Sequence, residues 1–165
     1  MSRKDNIIYF WKPSNPRYGF LSNWSRHPIE DEYGNFFPTC EHYFMYQKAK
    51  LFDDHETATE ILEANHPGKA KELGRKIKNY DDLVWKAQRI HVMKDALILK
   101  CKQHRDVKER LLSTGRRLLA EASPFDKVWG IGLSEEQALS RKEKWPGDNL
   151  LGKTWMLVRD IFFTK

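Results

Sequence analysis

Residues 41–52 read Glu41-His-Tyr-Phe-Met-Tyr-Gln-Lys48-Ala-Lys-Leu-Phe52. Wound as a helix at roughly 100° per residue, this stretch gathers Phe44, Met45, Ala49, Leu51 and Phe52 on one apolar face. Glu41 and Lys48, about two turns apart, fall at the centre of that face. Tyr43, Tyr46, Gln47 and Lys50 take the opposite side, toward solvent or a loop. Helices keep lone charges off their core side, because removing one from water costs on the order of several kcal/mol. A pocket wall explains the exception. Two structural readings stand beside it. Pro38-Thr39 looks like a helix start, where the dipole favours a first-turn Glu by about 0.3–1 kcal/mol. Lys48 could also bury its stem and reach water with its amine.

Outward from this helix the pattern is mixed. Ile7-Ile-Tyr-Phe-Trp11 is a short β-favouring run ended by Pro13, and residues 14–24 are rich in Ser, Asn, Pro and Gly, hence loop. Ile29 to Phe37 reads as a hairpin around Asp31-Glu-Tyr-Gly-Asn. After Phe52, Asp53-Asp54 opens a helix through Ala64, which His66-Pro67-Gly68 closes, and a further helical pattern runs to Gly74-Arg75. Tyr80 to Gln103 is a longer helix, with Leu83, Ala87, Ile90, Met93 and Leu97 near the helical period. Val107 to Leu112 begins another. Leu118-Leu-Ala-Glu-Ala fits strand or helix equally. Residues 123–134 are loop and 135–143 weakly helical. Asn149 to Phe163 closes the chain as an amphipathic helix carrying Leu150, Leu151, Met156, Leu157, Arg159 and Ile161. The expectation is a single α+β domain over 1–165, compact and mostly helical, with a few short β-strands.

Composition narrows the class. At 165 residues the chain can bury a core. It holds no apolar run of the roughly 20 residues a membrane span needs, and residues 1–10 lack the features of a signal peptide. Cys40 and Cys101 have no metal or redox spacing, and the six histidines no metal-ligand spacing. A cytoplasmic protein, or alternatively a nuclear one, is expected, monomeric and without a membrane partner. Basic residues outnumber acidic ones 29 to 23, a formal +6 that suits an anionic ligand or simply a solvated surface. There is no phosphate-binding Walker loop, no Gly-x-Ser-x-Gly and no Cys-His nucleophile pair. Neither a metal nor a cofactor is called for.

Five motifs occur in order: Gly19-Phe-Leu-Ser-Asn-Trp24, Pro38-Thr-Cys-Glu-His-Tyr-Phe-Met-Tyr-Gln-Lys-Ala49, Gly74-Arg75 with Trp85, Glu121-Ala-Ser-Pro-Phe-Asp-Lys-Val-Trp-Gly-Ile-Gly132, and Gly147-Asp-Asn-Leu-Leu-Gly152 with Met156 and Arg159. Together they resemble the NADAR (YbiA-like) family over nearly the whole chain. Two departures are Trp24, where relatives commonly have Phe, and a longer stretch from Leu133 to Trp145. The resemblance implies an α+β, helix-rich fold and an N-glycosidase of ribosyl substrates. One branch removes ADP-ribose from guanine in nucleic acid or nucleotide; the other hydrolyses phosphorylated ribosylamino-pyrimidine intermediates of riboflavin synthesis. The basic charge favours the first. The rival of another class is a non-catalytic module binding ADP-ribose or nucleic acid.

The resemblance puts Glu41 in the active site, where a partly desolvated carboxylate can pass protons to a leaving nitrogen. Lys48 is the candidate covalent amine, provided burial lowers its pKa; its alternative is a phosphate anchor. Asp126 would position ribose or water, or else cap a turn. For binding, Ser22 and Asn23 suit sugar hydroxyls or phosphate, with Phe20 as an apolar wall, against an ordinary Asx/Ser turn. Arg75 suits a bidentate phosphate contact, against a charge at a helix C-terminus. Trp85 and Trp129 suit base stacking, against core packing. Gly130 permits close backbone approach, Asn149 orients backbone or ligand, and His42 gives a supporting hydrogen bond.

Overall fold

The structure is a computed structural model and describes residues 6–141 and 143–164. Residues 1–5 of the N-terminal stretch and Lys142 of the weakly helical 135–143 lie outside the described residues. The fold is α+β and mostly helical with a few short strands, as expected. It divides into two compact units, Asn23–Arg105 and Met1–Ser22 with Asp106–Lys165.

In the unit Asn23–Arg105, an antiparallel pair β2 (Ile29–Glu30) and β3 (Phe36–Phe37) closes over the expected turn. Asp31 Oδ1 accepts from the amides of Tyr33 (3.0 Å) and Asn35 (2.9 Å), and Gly34 takes the left-handed φ of +80° that the turn requires. Helix α1 (Cys40–Leu51) starts where Thr39 accepts from the His42 amide. It packs on β3, on α2 (His55–Glu63), on α3 (Pro67–Gly74) and on α4 (Asp82–Gln103). Surrounded this way, α1 has no single wet side. Tyr43, expected to face outward, is buried against Phe37, and its phenol is pushed up to about 12, chiefly by that burial. Leu51, expected inside, is 38% exposed.

Two further corrections follow from packing. His66-Pro67-Gly68 begins α3 rather than closing α2: His66 Nδ1 accepts from the Gly68 amide at 2.9 Å, and Pro67 takes the first helical position, where its missing N–H is harmless. On α4 the buried face is Trp85, Met93, Ala96, Leu97, Lys100 and Cys101, whereas Leu83, Ala87 and Ile90 are exposed. The apolar period alone chose the wrong face for the first half of the helix.

In the other unit, β1 (Ile7–Phe10) pairs in parallel with β4 (Leu118–Glu121), Ile7 opposite Leu118, so the ambiguous Leu118 segment is strand. Ala120, Ala122, Ile131, Leu133 and Ala138 form its core cluster. Helices α5 (Arg105–Ser113), which enters the unit at Asp106, α6 (Glu135–Ser140) and α7 (Leu150–Phe163) complete it. The buried stripe of α7 is Leu151, Trp155, Val158 and Phe162, while Leu157 is exposed. Asn149 precedes α7 in the left-handed conformation, φ +54°. Its Oδ1 accepts from the Glu121 amide at 3.0 Å and its Nδ2 donates to the Leu119 carbonyl at 2.9 Å.

That side chain ties the start of α7 to β4. Asn149→Ala leaves two backbone groups without partners and should lower the unfolding free energy by about 2–4 kcal/mol in urea titrations. Asn149→Asp, which keeps the acceptor and loses the donor, should fall between the two.

Candidate active site

The first turn of α1 sets the acid. Glu41 is the second helical residue and only 6% exposed. Its amide donates to the Asn23 carbonyl at 3.1 Å, which draws the 23–25 segment onto the helix start. His42 anchors the same turn. It is fully buried, its Nε2 donates to the Ala64 carbonyl at 2.9 Å, and its Nδ1 accepts from the Thr39 hydroxyl at 2.8 Å. Burial, first of all, lowers its pKa, and the neutral ring satisfies both contacts. With both nitrogens committed, His42 supports the helix and offers no polar atom to a substrate.

About two turns along, the Lys48 amine rests on an aromatic floor, 4.8 Å from the Tyr80 ring centroid and 5.5 Å from that of Trp85. It donates to the Gly74 carbonyl at 2.9 Å. Burial is the main cause of a pKa below the ordinary lysine value. Arg75 pushes the same way, and Glu41 opposes both. Glu41 and Arg75 thus both act electrostatically on the Lys48 amine, with opposite sign. Arg75 itself is exposed just after α3.

Other expected residues have mixed fates. Trp85 is 6% exposed and tilts against Phe44 at 5.1 Å, so it is a floor beneath Lys48 rather than an open stacking plate. Asn23 donates from Nδ2 to the Met93 sulfur at 3.5 Å, while its buried Oδ1 has no hydrogen-bond partner among the described residues. Tyr80, the other ring under Lys48, has no sequence signal for that place. Its hydroxyl donates to Asp82 Oδ1 at 2.8 Å, which reads in sequence only as a helix start. A concavity of about 340 Å3 between α2 and α3, lined by Glu60, Glu63, Ala64, Asn65, Lys69 and Leu73, contains none of these groups.

The remaining candidates lie in the other unit. Asp126 Oδ1 accepts from the amides of Val128 and Trp129, both at 2.9 Å, the turn-cap arrangement. Gly130 is indeed a point of close approach, but to its own chain: an added Cβ would lie 2.8 Å from the Asp126 carbonyl oxygen. Asn149 orients backbone, as described above. Phe20 is buried with the Arg110 guanidinium 4.2 Å from its ring centroid, and Ser22 is buried. No cluster of three or more His, Cys, Asp or Glu side chains suited to a metal occurs among the described residues, and none of their helices is long and apolar enough to cross a membrane.

The sequence profile of the NADAR domain matches residues 9–162. The chain belongs to the NADAR domain family. An N-glycosidase of Acanthamoeba polyphaga mimivirus is 42% identical over 123 residues, covering 74% of this chain and 72% of that protein. The N-glycosidase YbiA of Escherichia coli is 35% identical over 129 residues, 78% of each chain. The NMR structure of YbiA matches with a TM-score of 0.79 at 31% identity, over 97% of this chain and 86% of that one. The riboflavin biosynthesis protein PYRR of Zea mays is 35% identical over 93% of this chain and only 25% of its own length. The NADAR resemblance read from the five motifs therefore holds, and so does the YbiA-like fold.

The electrostatics of the NADAR helix α1 are directly measurable. In NMR titrations of 13C-methylated protein, assigned with Lys48→Arg, Lys48 should titrate below 10.5. Arg75→Gln removes a like charge and should raise that value; Glu41→Gln removes the opposing carboxylate and should lower it further. A Lys48 resonance unmoved by either change would show that the three groups do not share one field.

Proposed function

We propose that the protein is an N-glycosidase that cleaves the bond between ribose and base in ADP-ribosylated guanine, carried by nucleic acid or nucleotide, with Lys48 as the reacting amine. The observation behind this reading is the Lys48 amine itself, desolvated on Tyr80 and Trp85 and within the field of a buried Glu41 on the same helix. The kinship with named N-glycosidases supports the reaction class, and the formal charge of +6 favours a polyanionic substrate.

The step balances as follows. The bond from the anomeric carbon to the ring oxygen breaks as that oxygen takes a proton from water, and the N-linked ribose opens to an iminium. Neutral Lys48 Nζ adds there, a proton passes from that nitrogen to the base nitrogen with Glu41 as carrier, and the carbon–base bond breaks. Water then adds to the lysine iminium, the amine departs, and the sugar recloses as a hemiacetal. An ammonium has no lone pair for the first addition. Rate should therefore climb with pH through the lowered Lys48 pKa, not through 10.5.

A second reading has its own support: the Zea mays relative named for riboflavin biosynthesis favours phosphorylated ribosylamino-pyrimidines as substrates of the same lysine chemistry. Supplying both substrates separates the two readings, since guanine-linked ADP-ribose left intact while the pyrimidine is cleaved would favour the second. Glu41→Gln should reduce kcat by about 10²–10⁴-fold, and Lys48→Ala should abolish turnover. Borohydride added during turnover should fix sugar on Lys48. A preparation whose glycosidase activity, whatever its level, is the same in wild type and both variants would instead indicate a non-catalytic binding module whose Glu41 and Lys48 are structural.

A further inference from the structure

Trp85, Arg89 and Met93 recur every four residues along α4 and so share one face of it. Trp85 and Met93 are core residues, 6% and 1% exposed, and α4 packs on α1. Arg89, itself part-buried, therefore leaves the helix between two buried neighbours, where a donor shut off from water is costly unless something occupies it. Its Nε is buried and has no hydrogen-bond partner among the described residues. Its charge acts on Tyr80 and Asp82, and Tyr80 is the ring beneath the Lys48 amine. One turn further along, Met93 receives the Asn23 amide, whose Oδ1 is the other orphaned atom of this unit.

An unused donor and an unused acceptor thus accompany the same helix face that floors Lys48. The Nε–H edge of a guanidinium, with its neighbouring Nη–H, matches two oxygens of a single phosphate. A carboxamide oxygen accepts from a hydroxyl. Resting on the reading that Lys48 meets the anomeric carbon, we infer that Arg89 binds the phosphate ester on the 5-oxygen of that ribose, and that Asn23 Oδ1 accepts from a ribose hydroxyl. The ribose 5-phosphate unit is common to ADP-ribosylated guanine and to phosphorylated ribosylamino-pyrimidines, so the assignment serves either substrate. Arg75, expected from sequence to hold a phosphate, is exposed, so its charge is screened more than that of part-buried Arg89.

The test uses the full chain and three probes: ribose 5-phosphate, ribose and ADP-ribose. In the wild type, the Arg89 Nε–H resonance should shift on adding ribose 5-phosphate and stay put with ribose; a resonance unmoved by ribose 5-phosphate overturns the assignment. Arg89→Met, which keeps most of the stem, should lose about tenfold or more in ribose 5-phosphate affinity with circular dichroism unchanged, and Arg89→Lys should lose less. In turnover the loss should appear as raised KM more than lowered kcat. Affinity within twofold of wild type in folded Arg89→Met would also overturn it. A wild type that cleaves neither N-glycoside yet binds ribose 5-phosphate through Arg89 would sink the enzymatic reading and leave this one standing; ADP-ribose against ribose 5-phosphate tells which source of the phosphate is preferred.

Discussion

An ammonium group is attracted to aromatic faces and carbonyl oxygens and is penalised for leaving water, and at Lys48 these tendencies meet. The rings of Tyr80 and Trp85 and the Gly74 carbonyl hold the amine in place, while burial weighs against its proton. The seat depends on how closely α3 can approach α1. At Gly74 a Cβ would run into the Met45 side chain, which would have to move aside, so glycine lets Met45 keep its place while the Gly74 carbonyl accepts from Lys48 Nζ. The glycine of the Gly74-Arg75 motif thus leaves room for Met45 beside the carbonyl that holds the amine, and Arg75 follows it into range by one residue.

The acid is placed by a different device. Glu41 has its position from the first turn of α1, and that turn is locked by His42, whose two ring nitrogens join Thr39 to the Ala64 carbonyl beyond the end of α2. The hydrogen bond from the Glu41 amide to Asn23 pins the preceding loop to the same point. Because Glu41 raises and Arg75 lowers the Lys48 pKa, the amine is tuned by two charges of opposite sign that reach it from α1 and from the end of α3. Substrate charge would enter the same balance, since a bound phosphate favours the protonated amine just as Glu41 does.

Local chemistry was legible in the sequence, and tertiary chemistry was not. Thr39 and Asp54 cap their helices and Asp31-Glu-Tyr-Gly-Asn35 folds its turn through bonds within a few residues, so their spacing carries the information. The charged pair on α1 was legible for the same reason: helical geometry alone sets Glu41 and Lys48 on one side. The inward face of α4 was not, because Leu83 and Ile90 are apolar yet exposed while Lys100 is buried with its amine donating to Ser25 at 2.7 Å. Asn149 reads in sequence as orienting backbone or ligand with equal right. What decided for the backbone were its partners Leu119 and Glu121, which lie 30 and 28 residues away.

The placement of Trp85 bears on how one family can include proteins named for different substrates. Its ring lies under Lys48 and against Phe44, which removes it from reading a base by open stacking. With Lys48 as the reacting amine, the chemistry needs only the ribose end of the molecule: an anomeric carbon, hydroxyls and a phosphate. A helix pair built for that end is indifferent to whether a purine or a pyrimidine departs. Discrimination between bases then has to arise from contacts that act on the leaving group before the carbon–nitrogen bond breaks, since after the lysine iminium forms the base has gone and the remaining steps are the same for every substrate.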